Sequence, residues 1–301
     1  MDWQDLLIDL YFTVCEAFEA QLYMHTQRYS NNSESVVPAF TDQEAITVYL
    51  FGLLKRQRTV QGVYSYTQDH LLSWFPDLPT YQKFNERLNR LNGALAAFSQ
   101  YLSHRITIPD WLNGQALVDA VVDSFPIILA QGSRADGAKV AREIASKGYC
   151  SSKDLWFHGL KLHALGIRVP GSLPLPQTLL LSAASENDNT VFKEQIAPAF
   201  RNLRIFGDKI FHDQPSIETL KKEYNIELLP CNKRKKGQKH LDADQKYFNT
   251  LVSRARQPIE SFFNWLEEKT GLQYASKVRS TPGLCKHVFG AIAAALFTLT
   301  F

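Results

Sequence analysis

The chain has 301 residues, 45% of them hydrophobic and 21% charged, which excludes a disordered or collagen-like protein and fits about two globular domains. The net charge is only +3, but residues 1–110 hold 8 basic and 12 acidic side chains, whereas residues 111–301 hold 25 and 18. The positive charge of the second part favours a polyanionic partner.

Neither a membrane protein nor a secreted protein is indicated. No apolar run reaches the roughly 18–20 residues that a membrane span needs. The sequence starts with the acidic segment MDWQDLLIDL, whereas a secretory signal starts with basic residues. The four cysteines lie far apart and form no CxxC pair, so no zinc site or disulfide framework is expected. We therefore expect a cytosolic protein with free thiols.

The first part of the chain predicts an all-helical unit. Apolar residues recur at helical spacing over residues 1–30. Thr41 and Glu44 form a capping-box pattern, which predicts that a second helix starts there. A third helix is predicted over 59–74 and a fourth over 80–104, so that residues 1–110 form a helical domain.

The last two of these helices are interpreted as a helix-turn-helix that binds DNA. Lys83 and Arg87 lie on the early turns of the helix over 80–104 and are the candidate contacts to phosphate or base edges. The alternative is a helical bundle used for dimerisation, which the six acidic residues among residues 1–35 favour.

The sequence pattern changes after residue 115, where strands are predicted. They cover residues 115–123, 154–167, 177–184, 203–207 and 226–230, with helices over 190–200, 215–224 and 242–269. The polar residues 131–153 are predicted to be a long insertion. Three strands followed by alternating helices and strands is the order of an RNase H-like α/β fold, a mixed sheet flanked by helices. We assign this fold to a second domain over 111–301.

Three acidic residues are predicted to converge in that fold. Asp123 is placed at the end of the first strand, Asp208 at the end of the fourth, and Glu260 on the helix after the fifth. Three carboxylates make an oxygen-rich site that suits Mg²⁺ or Mn²⁺. Asp119 is the nearest rival on the first strand, but its mid-strand position favours a structural role. Asp188, after the third strand, is left open between a role beside the site and a turn.

The segments around these acids resemble the motifs of DDE transposases of bacterial insertion sequences. They are VDSFP at 122–126, GDKIFHD at 207–213 and RARQPIESFFNWL at 254–266, and YCSSKDLWFHGLKLHALG at 149–166 resembles an intervening strand. The resemblance covers roughly residues 115–270. The second motif departs from the usual GDKGY, because Ile210 and Phe211 replace glycine and tyrosine.

The resemblance implies that Asp123, Asp208 and Glu260 are the catalytic triad and bind two Mg²⁺ or Mn²⁺ ions. It implies an enzyme that cleaves DNA at the ends of its element and transfers the freed strand to target DNA. The partners would be the terminal repeats, the target DNA and a second copy of the chain, in the bacterial cytoplasm at the nucleoid. Glu267 stands where related families often place a lysine that contacts DNA.

Basic residues provide further candidate DNA contacts. They are Lys233, Arg234, Lys235 and Lys236 in a loop, Arg254 and Arg256 on the helix of Glu260, and Lys161 and His163 on the second strand. Arg256 precedes Glu260 by four residues, so the two share a helix face. For the loop, a solvated run of charge is the alternative, and for Lys161 and His163 it is a surface position without contacts.

Two other functions remain open at this point. The first is another RNase H-like nuclease, such as a junction resolvase, which the helical front part disfavours because such an enzyme needs no domain for recognising element ends. The second is a domesticated or inactive relative that only binds DNA, which the complete set of three acids disfavours.

Overall fold

The computed structural model describes residues 2–30, 38–112, 114–151, 153–234 and 237–300. Its helices are α1 (Trp3–Ala20), α2 (Gln27–Ser30), α3 (Asp42–Leu54), α4 (Val60–His70), α5 (Tyr81–Arg90), α6 (Asn92–Arg105), α7 (Ser133–Asp136), α8 (Asp188–Val191), α9 (Gln214–Tyr224), α10 (Ala243–Thr270) and α11 (Thr281–Phe297). Its strands are β1 (Val118–Gln131), β2 (Ser146–Cys150), β3 (Leu155–Ile167), β4 (Leu175–Ala183), β5 (Leu203–Gly207) and β6 (Ile226–Pro230). Among these described residues, no helix is both long and apolar enough to cross a membrane.

The chain divides into two compact units, and this division differs from the predicted one after residue 110. The first unit contains residues 1–106, 139–143 and 266–301, and the second contains residues 107–138 and 144–265. The last 36 residues, predicted to belong with the α/β part, thus pack in the helical unit. The reason is that α11 is apolar on nearly all sides and is buried against α6 and α3.

The first unit confirms the predicted helix start at Thr41. The Glu44 backbone N–H donates to Thr41 Oγ1 (3.2 Å), and the Thr41 backbone N–H donates to Glu44 Oε2 (2.6 Å). The single helix predicted over 80–104 is two helices, because α5 ends at Arg90 and α6 starts at Asn92, with Leu91 between them. Asn92 Nδ2 donates to the Asn89 carbonyl at this break, a side-chain bond that competes with the helical backbone.

The predicted helix-turn-helix lacks the short turn of that motif. Residues 71–80 separate α4 from α5, whereas a helix-turn-helix uses about 3–4 residues. Arg87 does not point into solvent but donates to the Phe40 carbonyl and lies 3.7 Å from an oxygen of Asp42 at the start of α3. Lys83 is exposed on α5. Of the two candidate DNA contacts in this unit, only Lys83 is therefore free of such a structural role.

The second unit is a mixed sheet with flanking helices, consistent with an RNase H-like fold. Its strand order is β2-β3-β1-β5-β6, and β4 also pairs with β3. β1 is antiparallel to β3 and parallel to β5, and β5 is parallel to β6. Ala120 and Val122, on one side of β1, are buried in a core with Phe192, Ile205 and Phe211. Because side chains alternate along a strand, Val121, Asp123 and Phe125 lie on the other side.

Two features of the sheet were predicted incorrectly. β1 does not end near Asp123 but continues to Gln131, because its antiparallel pairing with β3 persists after the pairing with β5 has ended at Val121. Pro126 is tolerated there because β1 then has a strand on one side only. The polar segment 131–153 is not simply an insertion, since it contains α7 and the strand β2, which pairs with β3.

Gly159 has no side chain, so the backbones of β1 and β3 can approach closely there. This close contact provides a test of the long pairing between the two strands. β1 changes register between Ile128 and Ala130, and Gly159 lies opposite Ile128. A Cβ atom at Gly159 would lie 1.9 Å from the carbonyl oxygen of Ile127. We therefore expect Gly159→Ala to lower the free energy of unfolding by about 1–3 kcal/mol, as overpacking does, when measured by urea denaturation.

The matched control is Gly137→Ala, because no atom lies within 4 Å of a Cβ built at Gly137. This variant should unfold at nearly the wild-type urea concentration. Equal stability of the two variants would contradict the close contact between β1 and β3.

Candidate active site

Asp123 and Asp208 both lie near the carboxyl end of β5. Val121 is the last β1 residue that pairs with β5, opposite Phe206, and Asp123 follows two positions later. β5 ends at Gly207, and Asp208 comes next, two positions after Phe206. The parallel register thus carries both carboxyl groups to the same edge, which is where ligands bind in open α/β sheets.

Helix α10 brings Glu260 to this edge. Phe263 of α10 stacks on Phe125 of β1 with ring centroids 5.1 Å apart, which fixes the helix against the strand. Arg256 Nη2 donates to Asp123 Oδ2 at 2.7 Å, and Arg256 Nη1 lies 3.7 Å from Glu260 Oε1. The guanidinium of one arginine therefore contacts two of the three predicted acids. Asp208 belongs to the same group because its charge acts on Asp123.

Burial of Asp123 makes its carboxyl group harder to ionise. Its pKa is raised from 3.8 to about 6, first by burial and further by the charges of Asp208 and Asp188. The Arg256 charge and the hydrogen bond from the Ser124 backbone N–H act in the opposite direction and lower this pKa. Arg256 thus compensates only part of the cost of ionising Asp123.

Asp188 is a fourth acid near Asp123. It accepts a hydrogen bond from Ser124 Oγ at 2.8 Å and forms an ion pair with Lys161 Nζ at 2.8 Å. Lys161 also donates to the Glu186 carbonyl at 2.8 Å. Asp188 also starts α8, so it combines a place near Asp123 with a local structural role.

The predicted phosphate contacts on β3 have internal partners instead. Lys161 holds Asp188, as described, and is only 14% exposed. His163 is 2% exposed, and its Nε2 lies 2.8 Å from Ser182 Oγ. Burial lowers the pKa of His163, which keeps the imidazole neutral and unsuited to binding phosphate. These contacts favour a structural role for both residues.

Three of the remaining basic candidates, Lys233, Arg234 and Arg254, are exposed. Lys233 and Arg234 lie after β6 and make single bonds to backbone carbonyls, whereas Lys235 and Lys236 lie outside the described residues. Arg254 is exposed on α10, where it lines a shallow cleft with Asn249, Thr250, Ser253 and Gln257. Arg256 differs from these residues, since it is 8% exposed and bound to Asp123.

Sequence reasoning missed two contributors to the site, Ser124 and the ion-pairing role of Arg256. Ser124 was visible in the VDSFP segment, but only the fold shows its bond to Asp188. The four-residue spacing of Arg256 and Glu260 indicated a shared helix face, although it was assigned to DNA. The departure at Ile210 and Phe211 also has a packing explanation, because Phe211 is buried with its ring centroid 5.6 Å from that of Phe192.

One family model matches most of the second unit. Residues 118–294, more than half of the chain, match the model described as Transposase DDE domain. The chain belongs to the Transposase DDE domain family. No curated protein matches the chain. The matched range contains Asp123, Asp208 and Glu260.

The donors of this candidate site are carboxylates, although they are not arranged as a closed metal site. Carboxylate oxygens are the ligands that Mg²⁺ and Mn²⁺ prefer, so their chemistry fits a divalent cation. Asp208 and Asp188 add negative charge near Asp123, which such a cation would compensate. Among the described residues, no group of three or more His, Cys, Asp or Glu side chains is placed to hold a metal ion. Arg256, whose buried Nε has no hydrogen-bond partner among the described residues, lies between Asp123 and Glu260.

The raised pKa of Asp123 predicts how stability depends on pH without metal. The folded state holds this proton more tightly than the unfolded state, so the carboxyl stabilises the fold below about pH 4 and loses that effect as the pH rises through about 6. Between about pH 4 and pH 7, the wild type should lose about 2 kcal/mol more free energy of unfolding than Asp123→Asn does, because the variant has no carboxyl group to ionise. Urea denaturation in EDTA measures this difference.

Asp119→Asn is the control, because Asp119 lies on the same strand and forms surface ion pairs with Arg168 and Arg204. A loss as small in Asp119→Asn as in Asp123→Asn, or a loss in Asp123→Asn as large as in the wild type, would contradict the assignment of the pH dependence to Asp123.

Proposed function

We propose that the protein is a metal-dependent DNA transposase of a bacterial insertion sequence, with Asp123, Asp208 and Glu260 as its catalytic residues. The observation that carries the proposal is the double contact of Arg256 with Asp123 and Glu260, at 2.7 Å and 3.7 Å. This contact joins Asp123 on β1 to Glu260 on α10, although the two acids are 137 positions apart in the sequence. The chain that contains them belongs to the DDE family. Asp208 completes the set, since its charge acts on Asp123.

The proposed reaction has two displacements at phosphorus. In the first, water attacks a phosphodiester at the end of the element, and the bond from phosphorus to the 3′ oxygen breaks, which frees a 3′-hydroxyl. In the second, that hydroxyl loses its proton and attacks a phosphodiester of the target DNA, which forms the new strand joint and frees a target 3′-hydroxyl. Neither step needs an oxidant or a reductant.

The side chains of the site have separate tasks in this proposal. Asp123, Asp208 and Glu260 would hold one or two divalent ions, which supply charge stabilisation for the attacking and leaving oxygens. Arg256 orients the Asp123 carboxyl through its 2.7 Å hydrogen bond. Lys161 compensates the charge of Asp188 and so limits the total negative charge beside Asp123. Ser124 links the two acids, because its N–H bonds Asp123 and its hydroxyl bonds Asp188.

DNA would bind through the basic surface of the second unit. Lys233, Arg234 and Arg254 are exposed. Lys233 and Arg234 precede α10, the helix of Glu260, and Arg254 lies on that helix. Such charges bind phosphates without regard to sequence. Recognition of the element ends and dimerisation are proposed roles of the helical unit, in which Lys83 is exposed.

Removal of one triad carboxylate tests the catalytic proposal. Asp208→Asn keeps the size of the side chain but weakens an oxygen ligand, so Mg²⁺-dependent cleavage should fall by at least about 100-fold. The substrate is duplex DNA that carries the sequences flanking the gene of this chain, and cleavage is followed on denaturing gels. DNA affinity, measured by fluorescence anisotropy in EDTA, and the unfolding transition should stay near the wild-type values.

Asp119→Asn is again the matched control and should cleave within a few-fold of the wild-type rate. The catalytic assignment is wrong if Asp208→Asn retains substantial Mg²⁺-dependent cleavage. Cleavage without transfer to target DNA by the wild type would instead indicate an RNase H-like nuclease, and DNA binding without cleavage would indicate an inactive relative.

The salt dependence of binding tests the basic loop. Replacement of Lys233, Arg234, Lys235 and Lys236 by alanine should make the slope of log affinity against log salt less steep by about 2–4, because each phosphate contact releases about 0.9 counterions. The control replaces Lys221 and Lys222, which are exposed on α9, by alanine and should leave the slope unchanged. An unchanged slope in the loop variant would place the loop in solvent.

A further inference from the structure

Residues 188–196, between β4 and β5, contact the surroundings of both acids at the edge of the sheet, and we call them the bridging segment. They form α8 and, directly after it, one turn of π-helix over Phe192–Ile196. Turns of π-helix are uncommon and are often found at functional sites. At the start of the segment, Asp188 accepts a hydrogen bond from Ser124, the residue after Asp123. The rest of the segment contacts the loop that begins at Asp208.

The first contact with this loop, residues 208–213, is apolar. Phe192 of the bridging segment and Phe211 of the loop are 0% and 1% exposed, and their ring centroids lie 5.6 Å apart in an edge-to-face arrangement. Phe211 also packs against Gly207, the last residue of β5, since a Cβ atom at Gly207 would lie 2.9 Å from the ring. The middle of the loop is therefore held both to β5 and to the bridging segment.

Asp213, at the end of the loop, provides a second and polar contact. Its Oδ2 lies 3.1 Å from the Nζ of Lys193, which follows Phe192 in the bridging segment. Ser216 Oγ, in the first turn of α9, also donates to Asp213 Oδ2. Hydrogen bonds from Ser216, Lys193 and Asn189 lower the pKa of Asp213, so this carboxylate stays ionised and keeps its contacts with the bridging segment.

The carboxyl group of Asp208 is placed by the backbone around it. Asp208 begins the short 3₁₀ turn Lys209–Phe211, and its side chain makes no capping hydrogen bond to that turn. β5 fixes the backbone before Asp208, and the contacts of Phe211 and Asp213 fix the backbone after it. Groups of an active site must be held within about 0.5 Å of the productive geometry, so these contacts bear on the chemistry as well as on the fold.

We infer that the bridging segment positions Asp208 relative to Asp123, and that Lys193 and Asp213 are the positioning residues of this arrangement. The inference rests on the proposed function, because it takes Asp123 and Asp208 to be ligands of a divalent ion. Both positioning residues act through the backbone of the loop and not by contact with the substrate.

The test measures the Mn²⁺ affinity of the full chain by isothermal titration calorimetry. Two variants break the same ion pair but change the charge in opposite directions, because Lys193→Met removes a positive charge and Asp213→Asn removes a negative one. If only charge mattered, the first variant would bind Mn²⁺ more tightly and the second less tightly. Loss of position predicts weaker binding in both, by about tenfold, the lower end of the effect of removing a group that orients a metal ligand. Asp213→Glu keeps the charge and should recover most of the affinity.

The unfolding transition separates positioning from general destabilisation. The side chains of Lys193 and Asp213 are 32% and 35% exposed, so Lys193→Met should change the free energy of unfolding by less than about 1 kcal/mol. The matched control is Arg204→Met, which also removes one positive charge and breaks ion pairs of similar exposure, with Asp119 and Glu227 in the same sheet. This control should leave the Mn²⁺ affinity unchanged.

Cleavage of DNA gives a second measurement. Both pair-breaking variants should lower kcat by at least about tenfold, with KM for DNA within a few-fold of the wild-type value, because the loss concerns the reacting groups and not DNA binding. Tighter Mn²⁺ binding by Lys193→Met, or unchanged binding by both folded variants, would overturn the inference. If Asp208→Asn loses Mn²⁺ binding and cleavage while the two variants change neither, the proposed function stands and only the positioning inference fails. A wild type that binds no Mn²⁺ would overturn both.

Discussion

The ion pair between Arg256 and Asp123 is the contact on which the candidate active site depends. Without it, Asp123 would be a partly buried carboxyl surrounded by the charges of Asp208 and Asp188. Loss of one partner from such a pair is more costly than loss of both, because the remaining charge is left in a poorly solvated place. The same guanidinium lies 3.7 Å from Glu260. Because Arg256 and Glu260 are both on α10, the ion pair of Arg256 with Asp123 also fixes where this helix places Glu260.

The sheet determines why these groups meet. β1 pairs with β5 only up to Val121, which is opposite Phe206, and Asp123 and Asp208 each follow two positions after this last pair. β1 itself continues beyond that point because β3 still pairs with it on the other side. Phe125, two positions past Asp123, then provides the ring against which Phe263 stacks. One continuous strand thus carries both the acid and the anchor of the helix that supplies Arg256 and Glu260.

Local patterns predicted those parts of the structure that depend on neighbouring residues. The capping box at Thr41, the order of strands and helices after residue 115 and the segments around the three acids were all readable from the sequence. Long-range pairing was not readable, and the extension of β1, the strand β2 and the packing of α11 were missed. β2 has Ser146, Lys147 and Gly148, an unremarkable polar run whose strand conformation comes from its pairing with β3.

Buried acids are paired with basic side chains in both units. In the second unit Asp123 has Arg256 and Asp188 has Lys161, and in the first unit Asp42 lies 3.6 Å from Arg28 and 3.7 Å from Arg87. Lys286 differs from these residues, because its hydrogen-bond partner is the neutral Asn85. A neutral partner offsets only part of the cost of taking a cation out of water, so this lysine lowers the stability of the first unit relative to an uncharged side chain of similar size.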